Sequence, residues 1–390
     1  MRILFIDASI TELKKNYLSI ANYFKSKDTN FEATFLYVET ASNVVESMES
    51  AAYDSITANG YQVRKFRSFN YKRIEKELER ISPDILFIDA MNVYNQLWNV
   101  ICNKKNIPIY LYPHGFQIDN LYYNKSELIS KITKVLRYTY GIYNISRLTK
   151  TPFLKMYLAY TKYIKKGASL VDTAMDNSLM YPTTVFIYSE YYKDFWKRKY
   201  GIKGVNYEYI MPFDFTLIPG VMKKTQEKAL CYITQTLHED GRYTKDQYIE
   251  LLKSYIPLAE SVDKFYLKLH PRVDSKLYED IFNGIPSVEI VRDFPHCTCY
   301  LTHYSSMAYT AAMVSGNIII HELPGQPTHE VYSEVASIIT YSVEETIDAA
   351  RKLISNDNVS LETKKAQISK YATYMVESPF EVLYKTIYTK

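Results

Sequence analysis

Short apolar runs recur along the chain, and a helical interval follows nearly every one. Met1 to Asp7 reads as a buried strand and Ser9 to Lys25 as a helix. Ala33 to Val38 is the next strand, Arg64 to Phe66 is extended, and Tyr71 to Ile81 is a charged helix. The run Asp84 to Asp89 (DILFID) leads to a helix over Asn92 to Asn103, and Ile107 to Tyr112 (IPIYLY) is a further strand. Thr184 to Tyr188 precedes a helix from Ser189 to Tyr200, with Gly201 as its C-cap. This alternation predicts parallel, doubly wound α/β sheets, because parallel strands must be joined by crossovers.

The alternation lapses over 204–227, which carries two Pro and little periodicity, and it resumes with Ala229 to Thr234 (ALCYIT). Strands then recur at Phe265 to Leu269, Val288 to Asp293, Cys299 to Thr302, Ile318 to Ile320 and Ser337 to Thr340. Helices are expected over Val343 to Ile354 and Leu361 to Met375. A length of 390 residues fits two domains. The expected division is 1–203 with a basic helical insertion at about 125–170, a linker over 204–227, a second domain over 228–375, and an amphipathic segment over 376–390.

Composition narrows the class. Hydrophobic residues make up 47% and charged residues 23%, which excludes a disordered chain. A net charge of +4 gives no argument for nucleic acid. The four Cys (Cys102, Cys231, Cys297 and Cys299) form neither a disulfide framework nor a metal set, and read as buried thiols. The chain opens directly on a strand, with no signal-peptide architecture, and no apolar run approaches a membrane span. A cytoplasmic location is therefore expected. From Lys125 to Lys166 the sequence is helical, basic and rich in Tyr. That stretch is expected either to touch the inner face of an anionic membrane or to cover a core with solvated Lys.

The chemistry-bearing residues sit at strand ends, where open α/β sheets bind ligands. Lys268, His270 and Pro271 end the strand from Phe265; His303, Ser305 and Ser306 follow the strand from Cys299. Thr234 and Gln235 end the first strand of the second half, and Glu239 and Asp240 lie in the loop after it. A Ser pair opening a helix offers hydroxyls and backbone N–H groups to an anion, and an adjacent His adds a donor or a proton. A phosphate site is expected from His270, Ser305 and Ser306. In the first half, Pro113-His114-Gly115 ends the strand IPIYLY, with Asp119 following, while Asp7 and Asp89 end two other strands.

Two Rossmann-like halves of this kind look like a GT-B glycosyltransferase, with the two domains facing an inter-domain cleft. Lys268-Leu269-His270-Pro271 resembles the His-Pro motif of bacterial capsule and lipooligosaccharide sialyltransferases and of Kdo transferases, and Ser305-Ser306 resembles their serine motif. The resemblance implies a CMP-activated ulosonic acid as donor, with the His and the serines on the CMP phosphate. It implies inverting transfer to a surface glycan or glycolipid, with no cofactor and no metal. Glu239-Asp240-Gly241 is similar to the acidic motif that supplies the base in those families, although theirs lies in the first domain. His114 is the favoured base, with Asp119, Asp7 and Asp89 in reserve. His114-Gly115 together with the His-Pro and Ser-Ser motifs is also similar to CDP-polyol phosphate transferases of teichoic acid synthesis. A UDP-sugar enzyme, with Glu322 on the ribose, and a non-catalytic nucleotide- or glycan-binding protein stay open as alternatives.

Overall fold

The computed structural model describes residues 1–38, 46–113, 115–116, 128–161, 177–239, 242–355 and 361–389. The chain forms two compact units, Met1–Ile210 with Pro379–Lys390, and Met211–Ser378.

The first unit is built on a seven-stranded sheet in the order β3-β2-β1-β4-β5-β6-β7, parallel throughout. Its strands are β1 (Arg2–Asp7), β2 (Glu32–Tyr37), β3 (Gln62–Lys65), β4 (Ile85–Ile88), β5 (Ile109–Leu111), β6 (Thr184–Ile187) and β7 (Asn206–Tyr209). The central strands are covered on both faces, so ILFI and TVFI are buried along their whole length. Helix ends follow local chemistry. The Asn70 side chain accepts from Lys72 N–H and Arg73 N–H to start Tyr71–Ile81. Gly201, at φ +62°, ends Glu190–Tyr200 by donating to Lys197 O.

The basic stretch contributes two helices, Leu128–Thr149 and Phe153–Thr161. The longer one presses on Phe69 and Val93 at Gly141. A Cβ there would meet Phe69 Cδ1 at 2.6 Å and Val93 Cγ1 at 3.0 Å. Gly141→Ala gains about 1 kcal/mol of helix propensity but incurs about 1–3 kcal/mol of overpacking. Crowding wins, so the variant is expected to unfold at lower urea concentration than the parent. A higher midpoint would mean that the helix has room to yield.

The second unit holds a six-stranded parallel sheet in the order β10-β9-β8-β11-β12-β13. Its strands are β8 (Glu227–Ile233), β9 (Phe265–Lys268), β10 (Val288–Val291), β11 (Cys297–Thr302), β12 (Ile318–His321) and β13 (Ile338–Thr340). One core cluster packs Leu230, Tyr232 and Leu267 of the sheet against Tyr248, Leu252 and Tyr255. Each such Leu contributes about 1.5–3 kcal/mol by leaving water.

Three stretches differ from expectation. Residues 204–227 hold β7, a 3-10 turn at Phe213–Leu217 and a short helix at Ile218–Met222 rather than a bare linker. The two Pro that suggest a linker both open helical turns: Pro212 is the N-cap of the 3-10 turn and Pro219 lies in the first turn of the short helix. The last helix, Pro379–Tyr388, belongs to the first unit, where Phe380 stacks on Tyr23 and Tyr384 packs edge-on against Phe24. The helix from Leu361 ends at Ser369, short of Met375.

Candidate functional site

Within each sheet the first strand lies centrally, and the chain winds outward to one side and then to the other. The order reverses between β1 and β4 in the first unit, and between β8 and β11 in the second. Crevices outside the carboxyl ends of such strands are where doubly wound sheets bind ligands.

In the second unit the expected residues gather at that switch. Thr234 and Gln235 leave β8, His270 leaves β9, and Tyr304, Ser305 and Ser306 leave β11. Hydrogen bonds stitch the loops together. Thr234 Oγ1 accepts from His270 N–H at 3.0 Å, and Thr234 N–H donates to Lys268 O at 3.0 Å. Gln235 Oε1 accepts from Tyr304 N–H at 3.2 Å, joining the two strands of the switch. His270, Pro271, Arg272 and Val273 form a turn closed by Val273 N–H on His270 O, with Pro at its favoured second position.

Arg272 N–H donates to His270 Nδ1 at 3.1 Å. That bond makes Nδ1 an acceptor and places the proton of a neutral imidazole on Nε2. The Arg272 guanidinium donates to Thr236 Oγ1 at 3.0 Å, so a second cation belongs to the same loops. Burial lowers the Lys268 pKa, and the nearby Cys231 and Asp214 partly oppose that shift. The Lys268 ammonium donates to Leu269 O.

The two serines divide their work. Ser305 Oγ, one residue ahead of the N-cap Ser306, accepts from Met307 N–H at 3.2 Å at the opening of the helix Met307–Val314, so its own proton is what it can give a ligand. Ser306 donates its hydroxyl proton to Asp214 Oδ2 at 2.8 Å. Both serines are expected on an anion; in the structure the Ser306 hydroxyl is turned to Asp214, which leaves its backbone N–H as the group to offer there. Asp214 lies in the stretch that reads as a linker, and no sequence signal marks it.

His303 is corrected too. It is fully buried, its Nδ1–H donates to His321 O at 2.7 Å, and its Nε2 accepts from Tyr232 OH at 3.0 Å. Burial pulls its pKa down to about 3, so it stays a neutral core residue and offers a ligand neither charge nor proton. Glu322 accepts from Thr328 N–H at 2.7 Å and ties its own loop. Glu239 follows β8 in the second unit, within electrostatic reach of Tyr248 and Tyr278. The helix after it is started by a capping box of Thr244 and Gln247 and does not depend on the acidic pair for its cap. Asp240 lies outside the described residues, as do His114 and Asp119.

In the first unit Asp7 and Asp89 flank the switch. Ile6 pairs with Ile88, and each acid is the next residue. Asp7 is 3% exposed; its Oδ1 accepts from Ala8 N–H at 2.5 Å and its Oδ2 from Asn16 Nδ2 at 3.2 Å. Asn95 Nδ2 donates to Asp89 Oδ1 at 3.2 Å. Burial, then the charges of Asp89 and Glu12, push the Asp7 carboxyl well above its usual range. The Tyr17 hydroxyl is buried with no hydrogen-bond partner among the described residues; burial, then the charges of Asp89 and Asp7, hold its proton on. Among the described residues no group of three or more His, Cys, Asp or Glu could hold a metal ion. None of the described helices is long and apolar enough to cross a membrane.

Two Rossmann-like α/β units, each with this strand order, define a GT-B fold. The solved structures similar to this chain include the spinosyn forosaminyltransferase SpnP, at 11% identity and a TM-score of 0.55 over 100% of this chain and 99% of that one. The glycosyltransferase VinC in complex with DTDP is similar at 12% identity and a TM-score of 0.52, with coverage of 100% and 99%. The UDP-GlcNAc 2-epimerase from Neisseria meningitidis bound to UDP-GlcNAc is similar at 10% identity and a TM-score of 0.50, with both chains fully covered. Identities this low carry the fold alone. No family model matches the sequence, and no curated protein matches it.

Proposed function

We propose that the protein transfers a sugar from a nucleotide-activated donor whose phosphate binds at the switch between β8 and β11. The observation that carries this reading is the convergence there of Thr234, Gln235, His270 and Ser305 at the opening of the Met307–Val314 helix. The donor in this reading is a CMP-activated sialic acid or related ulosonic acid, and the acceptor is a surface glycan or glycolipid. The order of the His-Pro and Ser-Ser motifs supports it.

The chemistry is inverting displacement. The bond from the anomeric carbon to the CMP phosphate oxygen breaks, the bond to the acceptor oxygen forms, and the acceptor proton passes to a base. Negative charge grows on the departing phosphate. Nε2–H of His270, O–H of Ser305 and the backbone N–H of Ser306, aided by the positive end of the helix dipole, stabilise it without reorganising. The proposed base is Asp7, a carboxyl whose raised pKa brings it toward working pH. His114 is the sequence-derived alternative.

A UDP- or DTDP-sugar donor is the second reading, favoured by the nucleotides that VinC and the epimerase carry. Calorimetric titration with CMP, CDP, UMP, UDP, DTDP and GDP separates the two. Tightest binding of CMP supports the ulosonate donor, UDP or DTDP the second reading, and CDP the polyol phosphate transferases. No binding by any of the six would overturn the nucleotide site.

A further inference from the structure

The face of the first unit formed by the helices Leu128–Thr149 and Phe153–Thr161 is apolar where a soluble surface would be polar. On the longer helix Ile132, Val135, Leu136, Tyr140 and Tyr143 are exposed, and their spacing of three and four residues places them along one stripe. Leu136 is 64% exposed. On the shorter helix Phe153, Leu154 and Leu158 are exposed, Leu154 to 66%. The rings of Tyr143 and Phe153 meet edge-on at 6.1 Å, so the two stripes join into one patch.

The described charged residues of the two helices and the turn between them have one sign. They are Arg137, Arg147, Lys150 and Lys155, and the sequence from Leu128 to Thr161 carries no Asp or Glu. Beside the stripe lies a groove of about 650 Å³. Arg67, Asn70 and Arg73 line it from one side, and Leu136, Arg137 and Tyr140 of the long helix from the other; none of its lining residues is acidic. Asn70 Nδ2 donates to Tyr140 OH at 3.0 Å, and Asn144 Nδ2 donates to Phe69 O at 2.8 Å; these bonds fix the helix against the groove. Three guanidiniums around a groove are matched to a phosphate, and an apolar stripe beside them is matched to acyl chains.

We infer that this face docks on an anionic lipid bilayer, with the exposed stripe of the two helices in the acyl boundary and a lipid headgroup phosphate in the groove of Arg67, Arg73 and Arg137. A protein partner would supply acidic side chains but would not require so open a stripe flanked by basic charge; a bilayer supplies both halves of the match. The inference goes beyond the nucleotide site and does not depend on it.

The test is co-sedimentation of the full chain with vesicles of phosphatidylcholine alone and of phosphatidylcholine mixed with phosphatidylglycerol. The protein is expected to pellet with the mixed vesicles and to stay in solution with the neutral ones. Each basic residue near an anionic surface contributes about 1 kcal/mol, about fivefold in partition, so Arg67→Gln/Arg73→Gln/Arg137→Gln lowers binding on the order of a hundredfold. Leu136→Ser/Leu154→Ser/Leu158→Ser lowers it as well while leaving the charge intact. Arg67, Arg73 and the three Leu are exposed and Arg137 is half-exposed, so thermal midpoints and nucleotide titrations of both variants should match the parent. Equal partition onto neutral vesicles, unchanged binding by either variant, or complete displacement by inorganic phosphate at constant ionic strength would each overturn the inference; the last would make the groove a site for a soluble anion.

Discussion

His270→Ala is expected to abolish tight nucleotide binding while the second unit stays folded. The imidazole sits at the end of β9, half-buried, and no core cluster depends on it. A hydrogen bond to a charged phosphate is worth about 1.5–3 kcal/mol, so Kd should rise about ten- to a hundredfold. Turnover should fall further, on the order of 10²–10³, because the same donor meets more negative charge as the leaving group departs. Two isosteric variants distinguish the ring's roles. Asn can reproduce Nδ1 as an acceptor for Arg272 N–H, keeping the loop but losing the Nε2 donor. Gln can place an amide where Nε2 stood while releasing Arg272. If His270 works through its outward donor, His270→Gln retains more binding than His270→Asn. If it merely shapes the turn, the order reverses, and His270 does not contact the phosphate.

The parts of this structure legible in the sequence are those where local and tertiary requirements coincide. Central parallel strands are buried on both faces, so they read as continuous apolar runs, and their ends lead directly to His270 and Ser305. Edge elements lack that signal. β7 is NYEY, half-exposed, and its polar side chains carry no burial pattern. The helix Glu46–Ala58 (ESMESAAYDSITA) is built from small and polar residues whose periodicity is weak, and the sequence reading passes over it. Side-chain roles at the site depend on partners distant in the chain. His303 and His270 look alike as strand-end histidines. What separates them is Tyr232, 71 residues before His303, and the carbonyl of His321, 18 residues after it, which together make His303 a core residue. Ser306 likewise reads as a phosphate ligand until Asp214, 92 residues upstream, takes its hydroxyl proton. The acids behave differently again. Asp7 and Asp89 are each visible at a strand end, but their adjacency follows from the reversal of strand order between β1 and β4, which no local pattern encodes.

That adjacency gives the second large expectation: Asp7→Asn should be more stable than the parent at neutral pH and nearly inactive. Burial and the charges of Asp89 and Glu12 raise the Asp7 pKa in the folded state above its reference of 3.8. Between those values the native state holds a proton that the unfolded state has released, so stability falls as pH rises, by up to about 1.4 kcal/mol per pH unit. Below 3.8 both states are protonated and the contribution is fully present. The parent should therefore lose stability on going from acid toward neutral pH relative to the Asn variant, and the two should converge at the acid end. Asn can still accept from Ala8 N–H, and its amide NH2 then meets Asn16, which keeps a bond by turning its own amide oxygen inward at the expense of its contact with Glu12. If Asp7 is the base, activity requires its ionised form: parent turnover should climb through the raised pKa and be lost in the variant by about 10²–10⁴. Urea unfolding and turnover, each followed against pH on both proteins, check the two halves together. A variant less stable than the parent at every pH would make Asp7 a structural anion held by Ala8 and Asn16. A stabilised variant with full activity would leave the strained carboxyl real but move the base elsewhere. Stability gained with activity lost is the signature of a carboxyl kept buried for its chemistry, because burial that weakens the fold persists where function requires the group.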